Sequence, residues 1–107
     1  MSRVKSISID QIQYQVLDSP VPVLVDFYAD WCMPCRALAP MLERLARELA
    51  GQVRVVKVNV DHEPVLAQHY QVRAIPTLLL FVNGQPAKRL TGLASAEQLR
   101  QTIAHAA

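Results

Sequence analysis

Val25-Asp26-Phe27-Tyr28-Ala29-Asp30-Trp31-Cys32-Met33-Pro34-Cys35-Arg36 is the segment whose reading decides the fold. Its left half completes an apolar, β-rich run over 21–29 whose one charged residue is Asp26. Such a run reads as a strand buried on both faces. Its right half opens a different period. Leu38, Met41, Leu42, Leu45, Ala46 and Leu49 recur at helical spacing, with Arg36, Glu43, Arg44, Arg47 and Glu48 between them as a solvated face. The pattern predicts a helix over 34–49, bent at Pro40, whose nitrogen cannot donate, and ended by Gly51. Cys32 and Cys35 therefore stand where a buried strand gives way to a helix.

The same reading extends along the chain. Residues 53–60 form the next strand, and Asp61 is expected to cap a short helix over 63–70. Residues 77–82 make a strand, Asn83-Gly84 a hairpin turn and 87–91 its partner. Ser95, with Gln98 three residues on, opens a last amphipathic helix that turns Leu99 and Ile103 inward. Near the N-terminus a short strand over 4–7 and a helix over 10–17 are expected. Strand–helix–strand units imply parallel pairing, and the hairpin adds an antiparallel pair. The result is an α/β domain with a mixed sheet and helices on both faces.

Composition narrows the function. The 107 residues suit one domain, over 1–107, with enough core to fold without staples. The charge of +2 is small and its basic residues are scattered, which argues against nucleic-acid binding. Two cysteines only, separated by two residues, exclude a multi-disulfide framework and leave no second pair for a tetrathiolate zinc site. No metal site is expected, and His62, His69 and His105 read as surface residues. No apolar run approaches a membrane span, and the N-terminus lacks the apolar core of a signal peptide, so a cytoplasmic protein is expected.

At the start of a helix, unpaired N–H groups and the positive end of the dipole favour a thiolate. Pro34 suits the first turn, which needs no intrahelical donor there. Cys32, first and nearest solvent, is the expected nucleophile. Cys35, one turn deeper, is the expected resolving thiol. Asp26 is out of character in a buried strand, and burial should raise its pKa.

These features resemble the thioredoxin family over nearly the whole chain. The matching pieces are Val25-Asp26-Phe27, Ala29, Trp31-Cys32, Pro34-Cys35, Ala39-Pro40, Lys57, Asp61, Ala74-Ile75-Pro76-Thr77, Phe81, Asn83-Gly84 and Gly92. The resemblance implies a thioredoxin fold: a mixed central sheet of about five strands flanked by about four helices. It implies a protein dithiol–disulfide oxidoreductase that reduces substrate disulfides through a mixed disulfide at Cys32 and Cys35. It makes Asp26 the proton acceptor and donor, Lys57 the residue that tunes it, and Pro76 a cis-proline against the cysteines. It places substrate against Trp31, Met33, Pro34, Val60, Ala74, Ile75, Gly92 and Leu93. No bound cofactor is implied. The implied partners are disulfide-containing proteins and an NADPH-dependent thioredoxin reductase, a flavoprotein, with the chain itself a monomer. The sequence departs from the commonest pattern at Met33, where glycine is usual, at Tyr28, often tryptophan, and at Ala74, often glycine. A docking module without turnover is the alternative to an enzyme.

Overall fold

The computed structural model describes residues 2–106. Its five strands are β1 (Lys5–Ser6), β2 (Val23–Tyr28), β3 (Arg54–Asn59), β4 (Thr77–Val82) and β5 (Gln85–Thr91). Its α-helices are α1 (Met33–Glu48), α2 (Pro64–His69) and α3 (Ala96–Ala104). The strands form one sheet in the order β1-β3-β2-β4-β5. β1 and β2 run parallel to β3, while β4 runs antiparallel to both β2 and β5.

The antiparallel entry of β4 corrects the parallel pairing expected after a strand–helix unit. The connection over residues 60–76 instead returns the chain to the end of the sheet at which β3 left it, so β4 pairs with β2 in the antiparallel sense.

Side chains alternate across β2, and both faces are covered. Leu24 packs with Leu38, Leu42 and Leu45 of α1, Leu78 and Leu80 of β4 and Leu99 of α3. Val23, Val25 and Phe27 face the opposite side with Val16, Val56, Val58, Leu66, Leu79 and Phe81. This double coverage is why the strand reads as an unbroken apolar run. It also fixes where Asp26 lies: on the α1 face with Leu24, inside the core.

Three local expectations change. The N-terminal helix is a 3₁₀ turn at Ile9–Gln11 followed by a single π turn at Gln13–Leu17. Asp18 N–H donates to the Gln13 carbonyl at 2.8 Å, five residues back, and Val16 is buried beneath the turn. Asp61 does not cap α2: Glu63 holds that position, without a side-chain cap bond. The charged face of α1 is partly engaged. Glu43 accepts hydrogen bonds from Ser2 Oγ and the N–H groups of Arg3 and Val4, and Glu48 pairs with Arg100 at 3.0 Å.

The hairpin turn requires glycine at one place. Gly84 has φ +78°, and a Cβ there would sit 2.7 Å from the carbonyl oxygen of Leu17. Gly51 has φ +85° with open space around it. Gly51→Ala should thus cost only the backbone term, about 1 kcal/mol, and Gly84→Ala at least about twice that. Urea unfolding of the two variants measures the difference, and equal losses would contradict the close approach.

Candidate active site

Cys32 is the N-cap of α1, with extended backbone (φ −85°, ψ 110°), and Pro34 lies in the first turn. The N–H of Cys35 donates to Cys32 Sγ at 3.2 Å, so one of the helix's orphan donors already points at sulfur. Cys32 and Cys35 are joined as a disulfide, with Cα atoms 5.3 Å apart. In this oxidised state burial does not separate the two cysteines. The residues are 4% and 3% exposed, in a cluster with Ala29 against which Tyr28, Val60 and Ile75 pack. Their surroundings differ instead. Cys32 adjoins Trp31 and Met33, each 68% exposed, whereas Cys35 lines a cleft open to solvent.

That cleft has a volume of about 440 Å³ and includes Asp26, Tyr28, Cys35 and Lys57 in its walls. It is large enough for several waters between Asp26 and Cys35. Asp26 itself is 2% exposed, and its Oδ1 has no hydrogen-bond partner among the described residues. Burial raises its pKa from 3.8 to about 7, against a smaller opposing pull from the Lys57 charge. Lys57 is the cross-strand neighbour of Asp26 on β3. Among the described residues Arg100 makes the salt bridges, with Glu48 and Glu97; Lys57 and Asp26 do not close one. The Lys57 ammonium lies over the Tyr28 ring, 5.0 Å from its centroid.

The surface around the disulfide is assembled from four segments. Trp31 Nε1 donates to Asp61 Oδ2 at 2.8 Å, which ties the Trp31–Pro34 segment to the turn after Val60. This is where the Asp61 side chain goes instead of capping α2. The Ile75–Pro76 bond is cis. Thr77 Oγ1 donates to the Ala74 carbonyl at 2.6 Å, and Gly92 N–H donates to the Pro76 carbonyl at 2.9 Å. These bonds tie Ala74, Pro76, Thr77 and Gly92 together; Ile75 packs against the cysteines, and Leu93 is 63% exposed. The N–H and carbonyl of Ile75 have no partner among the described residues. The contacts of Tyr28, Asp61 and Glu43 were not foreseen. Each joins residues remote in sequence, and no local pattern announces them.

Among the described residues no group of three or more His, Cys, Asp or Glu side chains is placed to hold a metal ion. No helix among them is long and apolar enough to cross a membrane. The thioredoxin family model matches residues 3–105. Thioredoxin 1 of Nostoc sp. is 43% identical over 103 residues, covering 96% of each chain. Thioredoxin 1 of Chlorobaculum tepidum is 48% identical over 85 residues, covering 79% of this chain and 84% of that one. The thioredoxin of Rickettsia felis is 43% identical over 89 residues, covering 83% and 85%. A five-stranded mixed sheet, a cysteine pair bonded across the first turn of α1 and these relatives agree, and the chain belongs to the thioredoxin family of dithiol–disulfide oxidoreductases.

Proposed function

We propose that the chain is a general reductant of protein disulfides, with Cys32 attacking, Cys35 resolving and Asp26 moving the proton between them. The observation that carries this reading is that Cys35 and the buried Asp26 share one cleft while Cys32 is flanked in the chain by the exposed Trp31 and Met33. In the reduced protein the Cys35 N–H and the α1 N-terminus favour the Cys32 thiolate. That thiolate attacks one sulfur of a substrate disulfide. A mixed disulfide forms, and the departing substrate thiolate takes a proton. Asp26, as carboxylate, then takes the Cys35 proton through water in the cleft. Cys35 attacks Cys32 Sγ, the second substrate sulfur leaves as thiolate, and the Cys32–Cys35 disulfide remains. Two electrons have passed to the substrate. An NADPH-dependent thioredoxin reductase returns them, in a reducing compartment such as the cytoplasm.

Substrate docks as an extended segment against Trp31, Met33, Pro34, Val60, Ala74, Ile75, Gly92 and Leu93. The unpartnered backbone of Ile75 beside Pro76 supplies strand-like hydrogen bonds that tolerate many sequences. Lys57 moderates the proton affinity of Asp26.

Assigning attack to one sulfur makes the two serine variants unequal. Cys35→Ser should accumulate a mixed disulfide with an oxidised protein substrate, visible by mass spectrometry, and Cys32→Ser should not. Comparable adducts on both would overturn the assignment. Met33→Gly removes an exposed thioether from the docking surface. It should raise KM for a protein disulfide about two- to fivefold, roughly one buried methylene, with kcat unchanged. An unchanged KM would remove Met33 from the surface.

The sign of the Asp26 effect on stability follows from its raised pKa. The native state binds this proton more tightly than the unfolded chain does. The stabilisation is complete below about pH 4, falls as pH rises toward 7, and is absent above. Asp26→Asn should therefore be more stable than wild type at pH 8, by on the order of 4 kcal/mol, and lose that advantage toward pH 4. A difference that stays constant with pH in denaturation experiments would contradict the burial of a titrating carboxyl.

A further inference from the structure

The row of residues across the sheet at Asp26 is unusual in what it leaves unpaired. Ser6 of β1, Lys57 of β3, Asp26 of β2 and Leu78 of β4 are successive cross-strand neighbours. A lysine beside a buried carboxyl with an orphaned oxygen has every electrostatic reason to close an ion pair, and it does not. What intervenes is Tyr28, two residues beyond Asp26 and on the same face of β2. Its side chain reaches across β3. Its hydroxyl lies 2.7 Å from Ser6 Oγ on β1, and its ring lies under the Lys57 ammonium at 5.0 Å from the centroid.

From this geometry we infer that Tyr28 is a positioning residue: its ring, pinned to Ser6, holds the Lys57 ammonium away from a closed ion pair with Asp26. The ring face attracts the cation with a strength comparable to an exposed ion pair, so the two sites compete for one ammonium. While Tyr28 holds Lys57, Asp26 feels its charge only at a distance and keeps its raised proton affinity. With the ring gone, Lys57 is free to swing onto the carboxylate and favour the charged form.

The other groups facing Asp26 do not substitute for this contact. Asp30, from the loop after β2, and Arg36 of α1 share its cleft. Glu43 of α1 approaches from the other side, in a small cavity of about 50 Å³ shared with Asp26 and Lys57. Burial works against the Glu43 charge, but hydrogen bonds from Ser2, Val4 and Arg3, with help from Lys57, outweigh it and hold that carboxyl below its usual value. Cys35 carries no proton in the disulfide, and Leu78 carries no charge.

The functional value of this arrangement rests on the proposed proton transfer by Asp26, but its test does not. In the oxidised protein neither cysteine titrates, so the carboxyl carbon-13 resonance of Asp26 reports its midpoint alone. Tyr28→Leu should lower that midpoint by about one pH unit, a roughly tenfold loss of proton affinity. Tyr28→Phe keeps the ring and should hold the midpoint near wild type. In a Lys57→Met background, Tyr28→Leu should leave the midpoint where Lys57→Met alone puts it. An unchanged midpoint in Tyr28→Leu would overturn the inference. So would an equal fall without Lys57, which would assign the effect to water entering the space. Should Tyr28→Leu not fold, Tyr28→Met makes the same comparison. Failure of the proton-transfer reading looks different: the midpoints shift as expected while Asp26→Asn resolves mixed disulfides at the wild-type rate.

Discussion

Asp26 lies in the middle of a strand covered on both faces, with one carboxylate oxygen unpartnered among the described residues. Leaving a buried acceptor unpaired costs about 1–3 kcal/mol, and charging it costs more. Nothing in the packing of β2 needs a carboxyl there. Leu24, on the same face, shows what the fold alone would place at such a position. The carboxyl is tolerated because a cleft reaches it and because Lys57 lies on the next strand. Both features leave it near the boundary between neutral and charged.

The rest of the site can be read as the geometry that exploits this boundary. The end of β2 delivers the chain to the first turn of α1, where a sulfur replaces the usual oxygen of an N-cap. One face of that turn carries Cys35 toward the cleft, and the other carries Trp31 and Met33 into solvent. Loop bonds from Asp61, Thr77 and Gly92 fix the neighbouring segments, of which Val60 and Ile75 pack against the cysteines. The disulfide adds little to cohesion, since Leu38, Leu42 and Leu45 of α1 anchor it to the sheet independently. The bond is free to be the part that changes state.

Most of this was legible in the sequence for definite reasons. β2 and α1 announce themselves by a change of period at Cys32, and the Asn83-Gly84 turn and the Ser95–Gln98 capping box carry their geometry locally. Asp26 stands out because a carboxyl in an apolar run is chemically out of place. The direction of β4 was hidden because the connection over residues 60–76 is long enough to return the chain either way, and no residue pattern marks which. Asp61 looked like a cap because its type favours caps, but its side chain is claimed by Trp31, thirty residues away. The bonds of Glu43 to the N-terminal segment and of Tyr28 to Ser6 also join residues far apart in sequence and leave no periodic trace. What sequence alone conveys is which residue is chemically out of place; how its neighbours hold it is a tertiary fact.

The central claim is that Asp26 governs the proton released when Cys35 closes the disulfide. The direct measurement is the rate of resolution of a preformed Cys32 mixed disulfide, followed by stopped flow across pH 5–9 in wild type and Asp26→Asn. The account predicts a wild-type profile with a step near pH 7, where the carboxyl ionises, that is missing in a slower Asp26→Asn. Superimposable profiles would show that the buried carboxyl takes no part in the reaction.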